Sequence, residues 1–391
     1  MAEHLMATYG RLPVAFTHGE GPWLWDSNGK PYLDALSGIA VCGLGHAHPK
    51  VTQALCEQAG TLLHTSNLYR IPVQEELGER LCALAGMDRA FFANSGAEAN
   101  EAAIKLARLH AHRRGIERPE ILVMEGSFHG RTLATLSATG NRKAQAGFEP
   151  LVQGFVRVPY NDVAAVETAA ANRGNIVAIL VEPIQGEGGI VIPDADYLAA
   201  LRRICDRQDW LLMFDEVQTG MGRTGTLFAC QQASVLPDVM TLAKGLGNGV
   251  PIGACLAQGA AAEVFAPGSH GSTFGGNPLA CRVAGAVLDV LEGDRLAEHA
   301  GVLGERMLNG LRQALDGVDG VEQVRGRGLM LGIALDRPCG ELVGRALTEG
   351  LLINVTAERV VRLLPPLIID EQLADSIVDT VSNLIRDLLA P

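Results

Sequence analysis

Trp210-Leu211-Leu212-Met213-Phe214-Asp215-Glu216-Val217-Gln218 runs five residues deep in apolar side chains before meeting a carboxylate. Such a run reads as a strand buried on both faces, the kind found in parallel sheets, where ligands bind in the crevice outside the carboxyl ends of the strands. Similar short runs recur at Ala90–Ala93, Ile121–Met124, Ile176–Val181, Val239–Leu242 and Gly253–Ala257. Between them, helical period is legible at Pro49–Leu63, Val73–Ala85, Ala97–Arg114, Asp194–Gln208 and Pro278–Leu291. The alternation predicts an α/β fold with a mostly parallel central sheet covered by helices, continuous over residues 50–290.

The ends read differently. In residues 1–49, the stretch Trp23-Leu24-Trp25-Asp26-Ser27-Asn28-Gly29-Lys30-Pro31-Tyr32-Leu33-Asp34 alternates and turns at Asn28-Gly29, a hairpin signal. Residues 291–391 mix two long helices, about Arg295–Leu315 and Glu371–Leu389, with strands near Val321–Arg325, Leu329–Leu335 and Val360–Leu364. Both ends are expected to combine into a smaller α+β domain. No internal repeat or low-complexity linker marks the boundaries.

With 391 residues, 48% of them hydrophobic, the chain can bury a large core and divide into two lobes. Its net charge of −12, without any Lys/Arg cluster, argues against nucleic acid as a partner but leaves room for small anions in a local basic pocket. Eight cysteines with no C-x-x-C spacing read as reduced core thiols of a cytoplasmic protein. Met1 to Gly10 lacks a signal-peptide pattern, and no uncharged apolar run reaches the roughly 18 residues of a membrane helix, so no membrane association is expected.

Asn94-Ser95-Gly96-Ala97-Glu98 follows a strand and opens a helix, where free N–H groups and the positive dipole end can hold a phosphate. The same residues also spell a capping box, Ser95 with Glu98, which many ligand-free helices carry. Gly271-Ser272-Thr273-Phe274-Gly275-Gly276-Asn277-Pro278 offers more hydroxyls and loose backbone, or simply a turn before a helix begun by proline.

Asp215 gains meaning from Lys244, inside Thr241-Leu242-Ala243-Lys244-Gly245. A carboxylate at a strand end and an amine in a glycine-rich loop are the pair that pyridoxal 5'-phosphate requires, one for its pyridinium nitrogen and one for a Schiff base. An unperturbed lysine titrates near pH 10.4, roughly, so Lys244 must be tuned by its site to serve as a base. Without Asp215 it would read as an exposed loop lysine. Ser127-Phe128-His129-Gly130-Arg131 adds an aromatic face for a ring and a guanidinium for a carboxylate.

With these motifs in order, the sequence resembles the class III pyridoxal-phosphate aminotransferases, in the acetylornithine aminotransferase branch. The resemblance spans nearly the whole chain, through Leu24-Trp25-Asp26, Gly45-His46-Ala47-His48-Pro49, Asn94 to Glu98, Phe128 to Arg131, Val181-Glu182-Pro183-Ile184-Gln185-Gly186-Glu187, Asp215 to Gln218, Lys244 and Arg362-Leu363-Leu364-Pro365-Pro366. It implies a fold-type I enzyme with a seven-stranded central sheet, a homodimer with active sites at the interface. It also implies that Lys244 is the Schiff-base lysine and Asp215 the pyridinium partner. Val217 would lie under the ring, Gln218 near its phenolic oxygen and Phe128 on its face. Ser95, Gly96, Ala97 and Thr273 would hold the phosphate, Thr273 from the other subunit. Arg131 and Ser272 would contact substrate. Glu187 and Arg362 resemble the switch pair of ω-aminotransferases, the arginine masked for an amine substrate and exposed for a dicarboxylate.

The resemblance further implies transfer of the terminal amino group of N2-acetylornithine to 2-oxoglutarate, within arginine biosynthesis. Ornithine enzymes place a tyrosine where this chain has Ile39, and an apolar wall suits an acylated α-amine. Thr65-Ser66-Asn67-Leu68, with Asn67, replaces bulkier aromatics and leaves room for the acyl group; ordinary core packing would also explain Ile39. Succinylornithine, succinyl-diaminopimelate, ornithine and 4-aminobutyrate are the alternative donors. A decarboxylase, racemase or aminomutase, or a binding protein that kept the scaffold, is the rival reading, although both Lys244 and Asp215 are present. His46-Ala47-His48 lacks a third ligand, so no metal is expected. Gly43-Leu44-Gly45 and Gly245-Leu246-Gly247 lack the third glycine of a dinucleotide site.

Overall fold

The structure, a computed structural model, describes residues 4–390; residues 1–3, where the stretch read for a leader begins, and residue 391 lie outside it. Seven strands form the central sheet in the order Arg89–Ala93, Gly253–Ala257, Val239–Leu242, Leu211–Asp215, Ile176–Val181, Glu120–Met124, Phe155–Val158. The five from Val239–Leu242 onward pair in parallel. Gly253–Ala257 is antiparallel to both its neighbours, and the double reversal returns Arg89–Ala93 to the common direction.

This topology levels the strand ends that matter. Val181 lies opposite Phe214, Asp215 opposite Thr241 and Ala93 opposite Gly253. Glu182, Asp215, the loop to Lys244 and the helix Gly96–Arg113 therefore leave the sheet along one edge. The three strands beneath them, Ile176–Val181, Leu211–Asp215 and Val239–Leu242, are buried at every residue, which is why they are legible as unbroken apolar runs. Phe155–Val158 escapes that reading because it is an edge strand interrupted by Arg157, whose guanidinium is spent on the carbonyls of Ser137 and Thr139.

The helix expected over Pro49–Leu63 stops at Ala59. Gly60 closes it through Cys56 O, and Leu62 and Leu63 project from the surface instead of extending an apolar stripe. The helix expected from Asp194 begins at Tyr197, because the Asp194 carbonyl accepts the Tyr197 N–H in a turn that precedes it.

Two smaller sheets complete the fold. Phe16–Glu20, Trp23–Asp26 and Pro31–Asp34 are joined by Leu351–Leu352, so one sheet draws strands from both ends of the chain. Its hairpin turns at Asn28-Gly29 with Gly29 at φ 79°, and the Asp26 carboxylate locks the turn by accepting from the N–H groups of Asn28 at 2.8 Å and Lys30 at 2.9 Å. The other sheet, in the order Val321–Arg327, Met330–Leu335, Val360–Leu363, Asn354–Thr356, is antiparallel throughout. The helices Leu296–Ala314 and Glu371–Leu389 pack on each other, the first also on Val321–Arg327. Among the described residues no helix is long and apolar enough to cross a membrane.

Gly253 shows how tightly the sheet edge holds the helix start. A Cβ there would lie 2.3 Å from the backbone oxygen of Ser95, and neither atom belongs to a flexible side chain. Gly253→Ala should therefore destabilise the fold by about 1–3 kcal/mol, read from the midpoint of chemical denaturation; an unmoved midpoint would contradict this close approach.

Candidate active site

A cavity of about 360 Å³ opens at the carboxyl edge of the sheet, walled by Ser95, Gly96, Ala97, Phe128, Arg131, Glu187, Asp215, Val217, Gln218 and Lys244. Ten of the residues singled out in the sequence thus meet in one place. Asp215 is buried, and its Oδ2 accepts from Asn100 Nδ2 at 2.7 Å and His129 Nδ1 at 2.8 Å, while Oδ1 accepts from the Val217 N–H at 3.1 Å. Because a carboxylate only accepts, His129 carries its proton on Nδ1. Asn100 is itself oriented, receiving Thr241 Oγ1–H at 2.7 Å and donating to His129 O at 2.8 Å. Glu216, the next acid, turns away and accepts from Thr219 Oγ1 and the N–H groups of Ala229 and Cys230, tying down the following loop.

Lys244 opens a single 3₁₀ turn, Lys244–Leu246, with φ at 45°, a left-handed conformation that a lysine adopts only under constraint. Lys244 is half-buried and lines the cavity. Burial pushes its amine below the ordinary lysine range; the Glu187 carboxylate pulls it back up and the Arg362 guanidinium pushes it further down.

Glu182 follows the strand Ile176–Val181 and accepts from the N–H groups of Phe128 at 3.0 Å and Gly186 at 3.2 Å. Among the described residues it has no cation of its own, and burial pushes its carboxyl up to about 7, His129 opposing and Asp215 reinforcing the shift. Through the Phe128 bond it fixes the loop that carries both Phe128, whose ring lies 5.5 Å from the Arg131 guanidinium carbon, and His129.

At the helix start half of the expected capping box forms: Ser95 Oγ accepts from Glu98 N, while the Glu98 carboxylate reaches past Ser95 to accept from Asn94 N. These caps leave the N–H groups of Gly96 and Ala97 beside the cavity without using them. Gly96 has a packing reason of its own, since a Cβ there would meet Val217 Cγ1 at 2.7 Å.

Arg362 lies fully buried on the strand Val360–Leu363. Its Nη1 donates to Glu187 Oε1 at 2.6 Å and reaches Gln218 Oε1 at 3.4 Å, its Nε donates to Asn354 Oδ1 at 3.0 Å, and its Nη2 has no acceptor among the described residues. Glu187 is one-third exposed, so the acid of this pair faces the opening and the base does not.

Four sequence candidates stand apart from this cavity. Ser272 and Thr273 line a neighbouring one of about 370 Å³ with Asn94, Glu98 and Phe274. Asn67 donates to the carbonyls of Ser272 and Gly275, so it braces that loop. Ile39, at φ 65°, packs against an apolar cluster that includes Ala40, Ile184 and Leu364. Conversely, Asn100, Thr241, Glu182 and His129 were not singled out as site residues, although all belong to the network around Asp215. For Asn100 the signal was there: an amide within the buried stripe Ala99, Ala102, Ala103 needs a partner. Among the described residues no group of three or more His, Cys, Asp or Glu side chains is placed to hold a metal; His46 pairs instead with Asp34 at 2.9 Å.

The family model described as aminotransferase class-III matches residues 5–385. The chain is 61% identical to the acetylornithine aminotransferase of Nitrosomonas europaea, over 98% of this chain and 97% of that protein. Among solved structures it is similar to acetylornithine aminotransferase from Elizabethkingia anophelis, with a TM-score of 0.88 and 38% identity over 98% of this chain and 96% of that one. It is also similar to ornithine aminotransferase from Toxoplasma gondii, in a structure described as showing partial occupancy of PLP at the active site, with a TM-score of 0.94 and 35% identity over 98% and 92%.

Glu182 leaves a mark on stability. A carboxyl raised to about 7 in the folded state, against about 4.3 when unfolded, binds more protons folded than unfolded between those values. Stability should fall as pH rises from about 4.3 to 7, and Glu182→Gln should flatten that slope in melting curves taken across the window. Parallel wild-type and variant curves would place the titration elsewhere.

Proposed function

This chain belongs to the class III aminotransferases, which depend on pyridoxal phosphate, and from that membership we propose that it moves the terminal amino group of N2-acetylornithine to 2-oxoglutarate, giving N-acetylglutamate 5-semialdehyde and glutamate. The observation that carries the proposal is the buried Arg362 beside Lys244, bonded to Glu187 at 2.6 Å and left with one Nη2 unpaired. Two half-reactions share one pocket, and only the second substrate brings an α-carboxylate to this arginine. Leaving a buried guanidinium uncovered costs roughly 3–5 kcal/mol, so Glu187 covers it while the amine donor is bound and yields to the dicarboxylate afterwards.

The residues fit the cofactor. Asp215 keeps an oxygen lightly used, His129 Nε2 finds no partner among the described residues, and the Gly96 and Ala97 amides are free for an anion. We propose that Lys244 holds the cofactor through its amine, with Asp215 at the ring nitrogen, Val217 and Phe128 on its two faces, Gln218 at its phenolic oxygen, and Ser95, Gly96 and Ala97 at the phosphate together with Thr273 of a second copy. Bound there, pyridoxal phosphate supplies the electron sink for the bond broken at the amine-bearing carbon. Lys244, its amine lowered by burial, carries the proton away from that carbon. Arg131, Ser272 and Asn67 serve the substrate side.

The donor reading rests on the 61% identity to an acetylornithine enzyme and on the apolar surroundings of Ile39, which suit an acylated α-amine better than a charged one. Likeness of fold does not choose the donor, because the TM-score to an ornithine enzyme is the higher of the two. A homodimer is supported by the exposed Leu62, Leu63, Leu68, Tyr69 and Phe274 around the loop that carries Ser272 and Thr273. We place the enzyme in the cytoplasm, in arginine biosynthesis, with residues 50–290 as the cofactor domain and residues 1–49 and 291–391 as the smaller one.

A donor panel with 2-oxoglutarate as acceptor tests the proposal. Acetylornithine should give the highest kcat/KM among acetylornithine, succinylornithine, ornithine, 4-aminobutyrate and succinyl-diaminopimelate, and Lys244→Ala should lower turnover by at least about 100-fold. A tenfold preference for any other donor would overturn the assignment.

A further inference from the structure

The short strand Asn354–Thr356 touches both members of the Glu187–Arg362 pair. Asn354 stands directly across from Arg362 in the antiparallel register. Its Oδ1 receives Arg362 Nε–H at 3.0 Å; a guanidinium only donates, so the amide must present its oxygen. Two residues on, and so on the same face of the strand, Thr356 Oγ1 donates to the backbone carbonyl of Glu187. Arg325 grips the same loop through Gly189 O at 2.7 Å.

We propose that Asn354 and Thr356 are positioning residues that hold the two sides of this pair still, so that the Glu187 carboxylate alone moves between half-reactions. A guanidinium can offer a carboxylate either its Nε/Nη2 edge or its Nη1/Nη2 edge. Asn354 takes Nε out of use and leaves the second edge, on which Nη1 is lent to Glu187 and Nη2 is unpaired. An entering α-carboxylate that displaces Glu187 gains both donors at once, without any rotation of Arg362. Because Asn354 is neutral, it orients the arginine and leaves its charge for the substrate. Thr356 does the complementary work: with its carbonyl held, the Glu187 side chain swings from a fixed root and returns to the same place.

The proposal rests on the transaminase reading above, and its test separates the two. Glutarate, a dicarboxylate without a reactive carbonyl, reports the arginine site by calorimetry on the holoenzyme, and single-turnover spectra report each half-reaction. Asn354→Leu, which removes the acceptor, and Asn354→Asp, which keeps it but neutralises the guanidinium, should each weaken glutarate roughly tenfold or more. Both should slow the 2-oxoglutarate half-reaction by a similar factor and leave the acetylornithine half-reaction within about threefold. Thr356→Val should give the opposite pattern, slowing the acetylornithine half-reaction with glutarate affinity nearly unchanged. A general loss of packing would slow both halves alike. Equal slowing in both halves, or glutarate affinity within twofold of wild type in Asn354→Asp, overturns the clamp. Failure of the wild-type protein to react with any acylated donor overturns the donor reading alone, and the glutarate measurement then decides the clamp by itself.

Discussion

An ionised carboxylate withdrawn from water must be met by donors of the protein's own, and Asp215 sits at the end of a strand with no exposed residue. The donors it finds come from three different segments: Asn100 from the helix Gly96–Arg113, His129 from the loop after Glu120–Met124, and the Val217 amide from the loop it begins. Thr241, across the sheet, orients Asn100 in turn. The helix start, the aromatic loop and the strand leading to Lys244 are therefore fixed against one another by a single charge, before any ligand is present. Such preorganisation is what lets fixed dipoles act on a bound group without rearranging.

Three further ionisable groups meet at the same site, Lys244, Arg362 and Glu182, and they are managed differently. Lys244 is partly withdrawn from water and faces the charge of Arg362, both of which favour the neutral amine, while Glu187 opposes them. Its left-handed backbone is a strain of about 1–3 kcal/mol that the flanking strands Val239–Leu242 and Gly253–Ala257 absorb. Arg362 is bonded to Glu187. Glu182, raised by burial to about 7, carries only part of a negative charge beside Asp215 at neutral pH. A fully ionised Glu182 would pull the Lys244 amine back toward its charged form.

Where burial was continuous, the fold was legible: Ile176–Val181, Val239–Leu242 and Gly253–Ala257 have the bounds their apolar runs suggest. It was illegible where strands are short or polar. Phe16–Glu20 is mostly exposed, Phe155–Val158 lies on an edge, and Leu351–Leu352 and Asn354–Thr356 are too short to show a period. The site divides along the same line. Residues in motifs, Asp215, Lys244, Gly96 and Arg362 among them, were accessible because their types and order carry chemistry. Asn100 and Asn354 act by hydrogen bonds to Asp215 and Arg362 across separations of 115 and 8 positions, and Thr241 by one to Asn100 across 141, which no local pattern encodes.

That division separates the chemistry from the choice of substrate. The acids and the lysine proposed to serve the cofactor leave the central sheet along one edge, set by the register of its parallel strands. The arginine proposed to choose between substrates comes from a different sheet, on a strand that pairs with Met330–Leu335 and Asn354–Thr356. The two sheets meet at the site through Arg362, which touches Glu187 and Gln218 from the first and Asn354 from the second. A shift of one sheet against the other by a fraction of an ångström would change how Arg362 is shared without disturbing Asp215. The amine donor is proposed to be chosen elsewhere, at the apolar surroundings of Ile39, so likeness of this fold to both an ornithine and an acetylornithine enzyme is compatible with one arginine serving the same second substrate.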